Sequence, residues 1–121
     1  SGLAETRSNV RPIRVETRRL DDLLEGDPPA ADVVKIDVEG AELHVLAGMS
    51  RLLASGRPMT LVAECNPAGL ARFDATPRQL VERLEAAGFE VRAIDEANER
   101  LLPADAALSS SGDYVNLHAV R

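Results

Sequence analysis

A chain of 121 residues that is 45% hydrophobic is long enough for one small core and too apolar for a disordered segment. Its net charge of -6 excludes the broad basic surface that non-specific nucleic-acid or anionic-membrane binding needs. One cysteine excludes an internal disulfide framework, and one cysteine with two separated histidines excludes a Cys/His zinc site.

Residues 1–14 read as an irregular lead-in, although Ile13 and Val15 alternate with Arg14 and Glu16 and predict a short strand there. Leu20–Leu24 reads as a short helix, with Asp21 and Asp22 near its start where they favour the helix dipole. Gly26-Asp27-Pro28-Pro29 is a loop by its turn chemistry. Residues 32–38 predict a strand buried on both faces, since Val33, Val34, Ile36 and Val38 are all β-branched. Helical spacing follows from about Ala41 to Ala54, with Gly48 inside it and Gly56 ending it.

Met59–Ala63 reads as the next buried strand, ending at Glu64, and residues 67–75 as a loop. Thr76-Pro77-Arg78-Gln79 is a helix start with a capping box, and Gly88 suits the left-handed position past the helix end. Phe89–Ile94 is a third strand. A long connection over Asp95–Asp113, containing Ser109-Ser110-Ser111-Gly112, leads to a last strand from Tyr114 to Val120. Strand, helix, strand, helix, strand predicts an α/β fold with the first three strands parallel and the last antiparallel. No apolar run approaches the ~20 residues of a membrane span, and no signal-peptide pattern opens the chain. A cytoplasmic protein is expected.

The chemistry-bearing stretch is Val33-Val34-Lys35-Ile36-Asp37-Val38-Glu39-Gly40-Ala41-Glu42. An apolar run ends in two carboxylates one residue apart, then a glycine, then a helix. Ligands of parallel α/β sheets sit outside the carboxyl ends of the strands, so Asp37, Glu39 and, at the end of the next strand, Glu64 are the candidate catalytic residues. The structural alternative for Asp37 and Glu39 is to cap the helix that follows. Two carboxylates two apart on a strand share a face and admit a divalent metal, but as a pair they are a weak metal signal, and no metal is expected. Lys35, the single lysine, is expected in an ion pair with an acid if its strand is central. Asn66 fits turn chemistry before Pro67. Glu42 fits the start of its helix, and His44, His118 and Cys65 read as structural or surface residues.

From about Val15 to Arg121 the chain resembles the C-terminal part of the FkbM-type methyltransferase domain. The resemblance rests on Arg19-Leu20-Asp21-Asp22-Leu23-Leu24, Val34–Glu42, Val45-Leu46-Ala47-Gly48, Glu64 after an apolar strand, and Tyr114-Val115-Asn116-Leu117. It implies the C-terminal half of a Rossmann-like class I methyltransferase fold over residues 15–121. It also implies S-adenosylmethionine as methyl donor, and a small-molecule hydroxyl on a metabolite, polyketide or sugar as acceptor. In this class Asp37 would orient or deprotonate that hydroxyl. The glycines never form a Gly-x-Gly pair, so the cofactor site is expected to lie largely outside this chain and no cofactor-binding residue is assigned. Phosphatases of the haloacid dehalogenase type and Toprim nucleases fit less well, because their acidic pairs stand in other orders. The competing class is a non-catalytic half-domain that dimerises or binds a partner through an exposed strand edge.

Overall fold

A computed structural model of the chain describes residues 10–108 and 114–121. One five-stranded sheet organises it, in the order β1-β2-β5-β3-β4. The strands are β1 (Val33–Ile36), β2 (Thr60–Cys65), β3 (Glu90–Asp95), β4 (Arg100–Pro103) and β5 (Val115–Val120). β1 and β2 pair in parallel, and β5 lies antiparallel between β2 and β3. β3 therefore runs in the same direction as β1 and β2, as the strand-helix order predicts. The expected α/β class holds, with one parallel pair and antiparallel pairing elsewhere.

Among the described residues there are six helices: α1 (Leu20–Leu23), α2 (Glu42–Ala47), α3 (Ser50–Ala54), α4 (Pro67–Ala71), α5 (Pro77–Ala86) and α6 (Asp105–Leu108). Leu46, Leu52, Leu70, Leu80 and Leu84 from the helices pack with Leu61, Ala63, Ala93, Leu117 and Ala119 from the sheet in one buried cluster. β2 alternates buried Leu61, Ala63 and Cys65 with half-buried Thr60, Val62 and Glu64, so the helices cover one face of the sheet. The other face carries Glu64, Asn116 and His118 and is only partly covered.

The capping box is formed: Gln79 N–H donates to Thr76 Oγ1 and Thr76 N–H donates to Gln79 Oε1. Gly88 has φ +91 and Gly56 φ +68, as their helix ends require.

Several expectations are corrected. Ile13 and Val15 form no strand; their side chains stand in solvent, so alternation without a partner strand does not suffice. β1 is an edge strand, not a doubly buried one, and Val33 is 68% exposed. Its edge position also frees Lys35, which is exposed and pairs with no acid among the described residues.

The helix expected over 41–54 is broken at Gly48-Met49. There the Gly48 carbonyl accepts the Asp21 N–H at 3.0 Å, and Gly48 packs on Arg19, not on the sheet. Residues 67–71 are helical because Asn66 Oδ1 accepts from the N–H groups of Ala68 and Gly69 and Pro67 starts the helix. The connection after β3 contains β4 and α6, with β4 held as a hairpin partner of β3. The Ser109–Gly112 loop and residues 1–9 of the lead-in lie outside the described residues.

Candidate active site

The site forms where β1 and β2 end. Ile36 is the last residue of β1 and is in register with Ala63. One step further, Asp37 and Glu64 come side by side, on the face opposite the helices. Hydrogen-bonding interaction with the Asp37 carboxyl beside it holds the Glu64 carboxyl above its usual value, and partial burial and the Asp37 charge add to the rise. The two residues expected from the strand ends stand next to each other at the tips of β1 and β2. An ionised carboxylate placed here can accept the proton of a bound hydroxyl.

Glu39 is placed differently from the sequence reading. The strand ends before it, so it does not share a face with Asp37 by alternation. It occupies a turn with φ +52, followed by Gly40 at φ +113, and the Ala41 N–H returns to the Val38 carbonyl. Its side chain is exposed, and its charge adds to the field on Glu64.

This turn is fastened from two sides. Gly40 meets the backbone of Gly69 in α4 so closely that a Cβ on Gly40 would lie 2.0 Å from the Gly69 carbonyl oxygen. Glu42, fully buried at the start of α2, accepts the Gly40 N–H with both carboxylate oxygens at 3.1 Å. Burial pushes the Glu42 carboxyl up, while its hydrogen bonds from backbone N–H groups oppose the rise. Glu42 thus serves the turn that carries Asp37 and Glu39 more than its own helix. Its spacing two residues after the glycine was the available signal.

β5 brings a residue the sequence reading left unassigned. Asn116 stands directly opposite Glu64 across the β2–β5 pair, and its amide nitrogen donates to Glu96 Oε1 at 3.1 Å. Cys65, next to Glu64, points the other way into the core, and burial raises its thiol to about 11, which rules it out as an activated nucleophile. His44 stacks edge-on against Phe73 on the helical side, with ring centres 5.5 Å apart. Among the described residues no group of three or more His, Cys, Asp or Glu is arranged to hold a metal ion. No described helix is long and apolar enough to cross a membrane.

The profile of the methyltransferase FkbM domain matches residues 1–91, three quarters of the chain. The chain belongs to the FkbM methyltransferase domain family. The match spans the FkbM motif around Asp37 and Glu39, and also Glu64 and the helices that pack behind them. No curated protein and no solved structure matches the chain.

Proposed function

We propose that this FkbM domain carries the acceptor side of an S-adenosylmethionine-dependent O-methyltransferase acting on a hydroxyl of a small metabolite, polyketide or sugar. The observation that carries the reading is the carboxyl pair Asp37–Glu64, side by side at the tips of two adjacent parallel strands. When a hydroxyl oxygen gains a methyl group, its proton must leave. Asp37 is the acceptor for that proton, with Glu64 beside it on the neighbouring strand. Glu39 adds negative charge in the turn that follows. Alignment of the hydroxyl accounts for much of the rate in an in-line displacement at carbon.

Family membership implies S-adenosylmethionine as donor, but the described residues do not by themselves fit it. The closest backbone approach that a described glycine permits, Gly40 on Gly69, is filled by protein. No cofactor contact is assigned to the described residues.

Asp37→Asn in the full-length enzyme tests the assignment. Turnover is expected to fall about 10²-fold or more, as for loss of a general base, while stability moves by about 1 kcal/mol. Retained turnover with a sharply lower denaturation midpoint would make Asp37 a structural cap.

A second reading is supported by the outer edge of β1, which no described strand covers and where Val33 is 68% exposed. Such an edge is a template for strand pairing, and the chain then forms homodimers through it. Sedimentation of the chain and of Val33→Lys separates the two: a dimer lost in the variant supports edge pairing, and a monomer at all concentrations removes it.

A further inference from the structure

Asn116 stands in one row with the carboxylate pair. Directly opposed residues of an antiparallel pair share a face, with Cβ atoms about 5 Å apart, so Asn116 projects beside Glu64 on the face that holds Asp37. The bond from its amide nitrogen to Glu96 orients the amide and leaves its carbonyl oxygen as an acceptor. Beyond it lies a groove of about 340 Å³ lined by Ile94, Asp95, Glu96, Tyr114, Val115 and Asn116. The groove contains no cation among its lining residues. Asp95 is engaged in the β3–β4 hairpin, accepting from Asn98 and Arg100. Tyr114 is the single tyrosine and its side chain is exposed.

We propose that Asn116 is an acceptor-positioning residue and that this groove holds the body of a neutral, polyhydroxylated acceptor, a sugar ring or polyol. The assignment rests on the O-methyltransferase reading of Asp37 and Glu64. Neighbouring strands lie about 4.8 Å apart, so from Asn116 at the edge of the groove the acceptor reaches Glu64 across one strand spacing and Asp37 across a second, roughly 10 Å in all. One hydroxyl occupies the carboxylate pair, and a neighbouring hydroxyl donates to the Asn116 carbonyl oxygen. The Tyr114 ring offers a flat apolar surface to the C–H face of the ring. Asp37, Glu39, Glu64 and Glu96 together repel phosphorylated or carboxylated acceptors. A simple alcohol leaves Asn116 unpaired, and a site built to bind a hydroxyl discriminates strongly against an analogue that lacks it.

Two measurements test this. The first is nitrogen-15 NMR of the 121-residue chain titrated with methyl glucoside, cyclohexanol and glucose 6-phosphate. Saturable shifts of the Asn116 side-chain amide and the Val115 and Leu117 backbone amides are expected with methyl glucoside alone. Unmoved amides, or equal shifts with cyclohexanol, would overturn the assignment. The second is methyl transfer by the full-length enzyme to neutral polyols and to simple alcohols. Asn116→Ala is expected to raise KM for polyols about tenfold with kcat within about threefold, and to leave simple alcohols unaffected. A variant that loses kcat equally on every acceptor marks Asn116 as structural and overturns the proposal. Shifted amides without any methyl transfer to hydroxyls would leave polyol binding standing while the O-methyltransferase reading falls.

Discussion

The backbones of Gly40 and Gly69 are in direct contact, and each leaves the other no room for a side chain. A Cβ on Gly40 would lie 2.0 Å from the Gly69 oxygen and 2.3 Å from its carbonyl carbon, and one on Gly69 would lie 3.0 Å from the Glu39 oxygen. Gly40 also needs φ +113, where other residues are strained. Gly40→Ala is therefore expected to cost more than about 4 kcal/mol, or to abolish folding. Gly88→Ala, which has a positive φ but open space, is the control and should cost about 1 kcal/mol. Urea unfolding of both variants checks this; equal losses would mean that backbone conformation alone decides.

Glu42 predicts a pH dependence. Its folded carboxyl holds its proton more tightly than the ordinary value of 4.5 allows. The stability it contributes is thus fully present below that ordinary value and is lost as the pH rises through the raised folded value. Glu42→Gln keeps an acceptor for the Gly40 N–H but cannot ionise. Its denaturation midpoint should change less than wild type between acid and neutral pH. Parallel curves for the two proteins would refute it. Glu42→Ala, which strips the acceptor from a buried N–H, should cost about 1–3 kcal/mol at any pH.

Asp21 and Asp22 are neighbours with different work. Asp21 is 5% exposed and accepts the Arg51 and Leu52 N–H groups at 2.7 and 3.1 Å, so it caps α3 from a distance of thirty residues. Asp22 forms an exposed pair with Arg19. Asp21→Ala should lower stability by about 2 kcal/mol, and Asp22→Ala by clearly less. Thermal or denaturant melts of the two variants give the comparison, and reversal of the order would contradict the capping role.

Arg121 ties two helices to the sheet. Its guanidinium donates to the carbonyls of Leu52, Leu53, Arg57 and Ala87 and lies 4.8 Å from the centre of the Phe89 ring. Positive charge at helix carboxyl ends is favourable, and the planar fork reaches several carbonyls at once. Arg121→Ala should cost roughly 2–4 kcal/mol, and Arg121→Lys should recover less than half of it, read from denaturant midpoints. Full recovery by lysine would show that charge alone suffices.

Local chemistry was legible from sequence. The apolar run of β2, the capping box at Thr76 and Gln79, the glycine stops at Gly56 and Gly88, and the acid at the end of β1 and of β2 all depend on residues within a few positions of one another. What tertiary structure decided were relations between distant segments. β1 reads as a buried strand from its valines, yet it is an edge, because burial depends on which strand lies beside it. The 41–54 helix breaks because Asp21, far away in sequence, supplies a cap for a new start at Ser50. Lys35 is free because the edge leaves it in water. Asn116 joins Asp37 and Glu64 only through the β2–β5 register, which hydrogen bonds between strands set and no spacing along the chain records.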